Sequence, residues 1–209
     1  MILTALKNSV LDLWEEMFYA LVFNIIWVVG AVLIIPWPFV TFGLFFTVYD
    51  VGQGKGIKLS TFFRHARRNL KPAYIWGGIN LAIFVVLGTN IRFYEGLAQS
   101  GAQWAVYVRL VMIGLTVLWL VLQLIALALY PRLDQPDFKL ALRNAAILIA
   151  RYPTSMFTLA ILTGLIILIS AIFPALSFLA AAAFIAMMTN RIVEAMVARE
   201  LKRQEQEER

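Results

Sequence analysis

The chain has 209 residues, 18 Lys and Arg against 12 Asp and Glu, and is 62% hydrophobic with only 14% charged residues. A soluble domain runs about 45–50% apolar and about 25% charged, and a chain of this size cannot hide such an excess inside one water-facing globule. A soluble globule, a disordered chain and a disulfide-stapled secreted domain are excluded, and with no Cys and one His there is no thiolate or His-based metal site and no Cys nucleophile.

The first sixteen residues place Leu3, Leu6, Val10, Leu13 and Trp14 at helical spacing, with Asp12, Glu15 and Glu16 interrupting any long apolar run. This predicts an N-terminal helix lying along the membrane interface. Residues 17–35 read as a first span, apolar except for Asn24. Pro36-Trp37-Pro38 then turns the chain. A second apolar stretch follows to about Gly52; its fourteen residues from Phe39 give roughly 21 Å of helix, short of a hydrocarbon core of about 30 Å. Either it is buried among other helices or the bilayer thins around it.

Residues 50–71 are polar and basic, with a glycine-rich turn at 52–56 and an amphipathic helix after it. Leu59, Phe62, Phe63, Ala66 and Leu70 share one face of that helix, and His65 falls on the solvated one. Lys55 is followed by Gly56, so the turn lacks the GK[ST] of a phosphate loop. Pro72 opens a third span to about Ile91, and a loop at 92–103 leads to a fourth at 104–130. A second amphipathic helix, with Phe138, Ala141, Leu142, Ala145 and Ile149 on its apolar face, precedes Pro153, which opens the fifth span. Phe173-Pro174 ends it. The sixth runs to about Ala198, and the charged tail 199–209 continues as helix into water.

The predicted fold is thus an all-α polytopic membrane bundle of one domain, with six transmembrane helices, the second short, and two cytoplasmic amphipathic interfacial helices. Tyr49 and Tyr130, and Pro72 and Pro153, stand at one common offset, which suggests two related halves. Fourteen of the eighteen basic residues lie in 50–71, 131–152 and after 198. The positive-inside rule puts these regions, and both termini, in the cytoplasm. Topology accounts for the net charge of +6, and no nucleic acid is called for.

Several segments resemble the YesL-like family of small bacterial membrane proteins. Residues 33–43 (LIIPWPFVTFG) are similar to its "LPxxTxG" turn, and 61–71 (TFFRHARRNLK) to its "FFRxFKxNFK" segment. Residues 129–134 resemble "FPLLARFD", and 140–153 resemble "LKNALLLALRxLP". The resemblance covers roughly residues 15–198. It implies a protein of the bacterial cytoplasmic membrane without an established activity. Its relatives are often encoded beside sugar importers of the ATP-binding-cassette type. The 52–56 loop departs from the family, being glycine-rich rather than acidic, and the 95–104 loop matches nothing in it.

Three sets of residues are candidates for function. On the amphipathic helices, Phe62, Phe63, Arg64, Arg67 and Arg68, with Phe138, Arg143 and Asn144, are placed either to lie on anionic headgroups or to dock a protein partner such as an importer component. Within the spans, Asn24, Asn80 and Gln123 lie deepest; such amides either hydrogen-bond between helices or line a substrate path. At the outer rim, Trp37, Arg92, Trp104 and Arg109 could stack on and bond a sugar, or serve as interfacial anchors. Arg191 and Glu194 are spaced as a local ion pair. No catalytic constellation or cofactor motif is present, and no acid sits near a midplane. The family resemblance and the basic helices together imply a non-enzymatic accessory or interaction protein associated with a sugar-import system, with a small-molecule transporter as the alternative.

Overall fold

The computed structural model describes residues 2–55 and 58–207; nearly all of these are helical, and no strand occurs among them. Nine helices follow in order: α1 (Ile2–Glu15), α2 (Met17–Val32), α3 (Trp37–Gly52), α4 (Leu59–Arg68), α5 (Leu70–Gln99), α6 (Trp104–Leu129), α7 (Phe138–Arg151), α8 (Pro153–Ile172) and α9 (Ala182–Glu207). The chain enters α9 through a single turn at Pro174–Leu176 and a π-helical stretch at Ser177–Ala181.

The predicted N-terminal helix is present, and it meets α2 at 91°. It packs on α9. The first span stops at Val32 rather than Ile35, because the chain turns at 33–36. Ile34 has φ of 62° there, a left-handed conformation that strains a β-branched residue. The amides of Leu33 and Ile34 donate back to Val29 and Ala31 of α2, those of Ile35 and Trp37 to Leu33 and Ile34 in the turn, and Pro36 has none to satisfy. Gly30 lets α2 and α3 close: a Cβ there would come within 2.6 Å of Val40. At 16 residues each, both are about 24 Å long, so α2 is shorter than the full first span expected. α3 is enclosed, with Phe42, Leu44, Phe45 and Val48 all buried.

The amphipathic helix α4 ends at Arg68, three residues before its expected end. Asn69 breaks it, its side-chain amide donating to the His65 carbonyl, and α5 follows at once. Pro72 is therefore the third residue of α5 rather than the first, still within the turn whose amides have no helical acceptor. α5 also runs past Ile91 to Gln99. The predicted 92–103 loop shrinks to 100–103, because nothing before Gly101, at φ of 99°, stops a helix. Asp137 caps α7 by accepting from the Lys139 amide, and Pro153 opens α8 as expected.

Among the described residues, four helices are long and apolar enough to cross a membrane: α5, α6 with its extension to Arg132, α8, and the run Phe178–Glu207. Their outward faces are apolar and uncovered, with Val85, Leu110, Ile161 and Leu168 each more than half exposed, which is the pattern of a lipid-facing surface. The order of a helix, a short amphipathic helix and a long one occurs twice, in α3–α4–α5 and α6–α7–α8.

Candidate functional site

A cavity of about 460 Å³ lies between α2, α3, α5, α6, α8 and α9. Its walls are almost wholly apolar. Trp27, Trp37, Trp76, Phe45 and Phe84 supply aromatic faces, and aliphatic side chains such as Leu124, Leu127, Ile166 and Ile185 complete much of the wall. From Gln123 in its wall, α6 runs roughly 14 Å on to Arg132 and roughly 21 Å back to Arg109 at 1.5 Å per residue. The cavity therefore sits at the depth of a bilayer core.

A directional hydrogen-bond network ends in this wall. Indole N–H groups only donate. Trp119 Nε1 donates to Asn80 Oδ1 at 3.0 Å, so the Asn80 amino group faces the other way. It donates to the Trp76 carbonyl at 2.9 Å and to Gln123 Oε1 at 3.3 Å. Trp76 Nε1 also donates to Gln123 Oε1, at 2.8 Å. Two donors thus fix the Gln123 carbonyl, and its amino group is left over. Gln123 is 3% exposed, and its Nε2 has no acceptor among the described residues. A buried donor without a partner costs about 1–3 kcal/mol.

Thr163 also lines this cavity. Six other threonines, Thr41, Thr47, Thr89, Thr116, Thr158 and Thr189, each donate to the carbonyl four residues back. The buried Thr163 hydroxyl makes no hydrogen bond among the described residues. That back-bond is the ordinary resting place of a helical hydroxyl.

Of the predicted intramembrane amides, Asn80 and Gln123 belong to this network and Asn24 does not. Asn24 accepts from the backbone amides of Ala182 and Ala183 at 2.8 and 3.2 Å and donates to the Phe178 carbonyl at 2.8 Å. It is the cap of α9, supplied from another helix at the point where the π-helical stretch interrupts the regular ladder.

The outer-rim set is divided. Arg109 pairs with Glu95 at 3.1 Å and Trp104 lies edge-on to Tyr94, so the α5–α6 turn gathers those side chains, with Arg92 exposed nearby in sequence. Trp37 is not with them. It packs 5.1 Å from Trp76, in the cavity wall, because the α2–α3 turn lies beside the start of α5 rather than its end.

The aromatic docking candidates also turn inward. Phe62 is fully buried, stacked 4.9 Å from Phe23 and packed over Gly43, where a Cβ would come within 3.1 Å of it and of Ala66. Phe63 is half-buried beside Phe39, and Phe138 beside Tyr130. Phe62 therefore presents no free face, whereas Phe63 and Phe138 stay partly exposed. Arg64, Arg67, Arg68 and Arg143 are exposed, and Asn144 is half-buried. His65, expected in solvent, is instead held in the bundle. Its Nε2 is 2.7 Å from Asp50 Oδ2 and its ring stacks on Phe46.

The basic end is tied together by ion pairs between distant segments. Arg191 makes two 2.7 Å bonds to Asp12, joining α9 to α1, and reaches Glu194 at 3.0 Å. Arg132 donates to the side chain and carbonyl of Asn190 and lies over the Tyr49 ring. Arg151 and the Tyr152 hydroxyl meet Glu200. The spacing of 191 and 194 showed the weaker of the Arg191 contacts; its partner Asp12 lies too far away in sequence for any helical spacing to reveal. No family model, curated protein or solved structure matches the chain.

Proposed function

We propose that the chain is a non-enzymatic accessory protein of the cytoplasmic membrane that docks a partner on its basic end, which faces the cytoplasm. The observation that supports this most is how α4 and α7 are used. Their apolar faces, Phe62 and Ala66 on one, Ala141, Ala145 and Leu148 on the other, are spent on the bundle. What remains outward is Arg64, Arg67, Arg68 and Lys71, with Lys139 and Arg143. Such a surface attracts acidic protein segments and anionic headgroups. The resemblance to the YesL-like family points to a sugar importer of the ATP-binding-cassette type as the partner.

The orientation follows from the positive-inside rule and from parity. α5, α6, α8 and α9 make an even number of crossings, and the α2–α3 hairpin returns to the side from which it starts, so both termini share the basic side. Affinity purification from native membranes tests the docking. An importer subunit is expected to co-purify, and Arg64, Arg67 and Arg68 changed together to Glu should remove it. Unchanged recovery of the same partner would refute docking through α4.

A second reading, a small-molecule transporter, is favoured by the cavity at bilayer depth. Its walls suit hydrophobic cargo; a sugar there would leave most of its hydroxyls without partners. Uptake by liposomes carrying only this protein is the test, and no flux over a panel of hydrophobic and sugar solutes would reject it.

A further inference from the structure

We propose that the cavity holds one acyl chain of a bilayer phospholipid, admitted sideways past α8. The inference goes beyond docking at the basic end and does not depend on it.

Polarity sets the first limit. No charged side chain is among the described residues that line the cavity. The polar atoms of the wall are withdrawn from it or engaged. Gln123 Nε2 and the hydroxyl oxygens of Thr163 and Ser170 have almost no accessible surface, and Asn80 is 1% exposed. Trp27 Nε1 donates to Thr41 Oγ1 at 2.9 Å and Trp76 Nε1 to Gln123 Oε1 at 2.8 Å. A sugar, carboxylate or phosphate would find no partners from these groups and would lose its hydration for nothing. A hydrocarbon has nothing to leave unpaired.

Size sets the second. A dry apolar cavity of about 150 Å³ takes one benzene. A volume of about 460 Å³ takes roughly three times as many carbons, the size of one long alkyl chain and not of two.

Access sets the third. Ile167 and Ala171 line the cavity and are exposed. Beside them on α8, Leu168 and Ile172 are exposed too, at 57% and 63%, on the surface that looks onto lipid. The mouth is therefore apolar and opens into the bilayer core. At that depth the surrounding solvent is acyl chain, and a chain that moves from the bilayer into the cavity gives up no hydration. Left void, the walls forfeit their contacts, and water would find no hydrogen-bonding partners there.

The experiment places the purified full-length protein in nanodiscs of phosphatidylcholine doped with an analogue that carries a diazirine midway along one acyl chain. On illumination, peptide mass spectrometry should find adducts on Leu124 of α6 and Ile185 of α9, which are half-buried and line the cavity. It should also find them on the outward Leu110 and Ile161. The inner adducts should saturate at one per chain as the probe fraction rises, while the outer adducts rise in proportion to it. Ala171→Phe puts a phenyl ring at the mouth and should lower the inner adducts about tenfold. The outer adducts should stay unchanged, which also reports that the variant is folded. Ile167→Trp, at the other exposed position of the mouth, should do the same. A free fatty acid bearing the same diazirine tests the other source of an alkyl chain, and the phospholipid should label the inner pair without it. Inner adducts that are absent, that rise without saturating, or that survive both variants would overturn the proposal. So would inner labelling by the fatty acid alone.

Discussion

Replacing Asn24 by Leu keeps the side-chain volume and removes three hydrogen bonds at once. The amides of Ala182 and Ala183 lose their acceptor, and the Phe178 carbonyl loses a donor. Asn24 is fully buried, so water does not replace it. Leaving a buried polar group unsatisfied costs about 1–3 kcal/mol, whereas interhelical hydrogen bonds in a membrane protein average about 0.6 kcal/mol by double-mutant cycles. Three bonds then bracket the loss at about 2–9 kcal/mol, the upper end applying if α9 cannot shift to find other acceptors. Reversible unfolding in mixed micelles measures it, read by tryptophan fluorescence. Hydrogen exchange at Ala182 and Ala183 locates it, since those two amides should open before the remainder of α9. A loss under about 0.5 kcal/mol, or exchange at 182–183 unchanged, would refute the reading of Asn24 as the cap of α9.

Gly77→Ala puts a methyl 2.2 Å from Cγ of Pro38; a pyrrolidine ring cannot rotate away, so a loss of about 1–3 kcal/mol is expected, seen as a lower unfolding midpoint. Ile34→Gly relieves a left-handed strain of about 1–3 kcal/mol against the added unfolded-chain entropy of glycine, about 0.5–1 kcal/mol; thermal melting should show a small gain, and a clear loss would contradict the strain. Asp12→Asn leaves Arg191 with Glu194 alone. It should raise hydrogen exchange across residues 2–15 while α5 and α6 stay protected, whereas a uniform rise would mean that α1 is not held locally. The turn at 33–36 is apolar, with Leu33, Ile34 and Ile35 all well exposed. Ile35→Cys should therefore resist a membrane-impermeant maleimide from either side, as a residue in hydrocarbon does.

Helices were legible in the sequence wherever proline or charge punctuates the apolar runs. Pro153, Pro174 and the apolar face of 138–149 all fall where they were read. The α4–α5 junction was misplaced because Pro72 marks the first turn of a helix without saying which residue of that turn it is. What an apolar face packs against was not legible. Phe62 on an amphipathic helix satisfies the same periodicity whether it meets lipid, a partner or Phe23, since all three are apolar. Trp76 was unremarkable for a similar reason: its tail-end indole N–H finds a partner only once α5 and α6 are aligned. Thr163 was invisible because a helical hydroxyl ordinarily bonds its own backbone, and only the structure shows that this one does not. Asn24, Asn80 and Gln123 were found as deep amides, but that two meet in a cavity wall while the third caps a helix depends on tertiary packing.

The central claim is that the basic end of the bundle faces the cytoplasm and that α5 and α6 carry the chain across the membrane and back. The chain contains no cysteine, so Gln53→Cys, Ser100→Cys and Gln135→Cys, all at exposed positions, each carry the sole thiol. Labelling of intact cells and of permeabilised cells with a membrane-impermeant maleimide is the direct measurement. The account predicts that residue 100 is labelled in intact cells and that residues 53 and 135 are labelled only after permeabilisation. Labelling of residues 53 and 135 in intact cells, or of all three from one side, would contradict it.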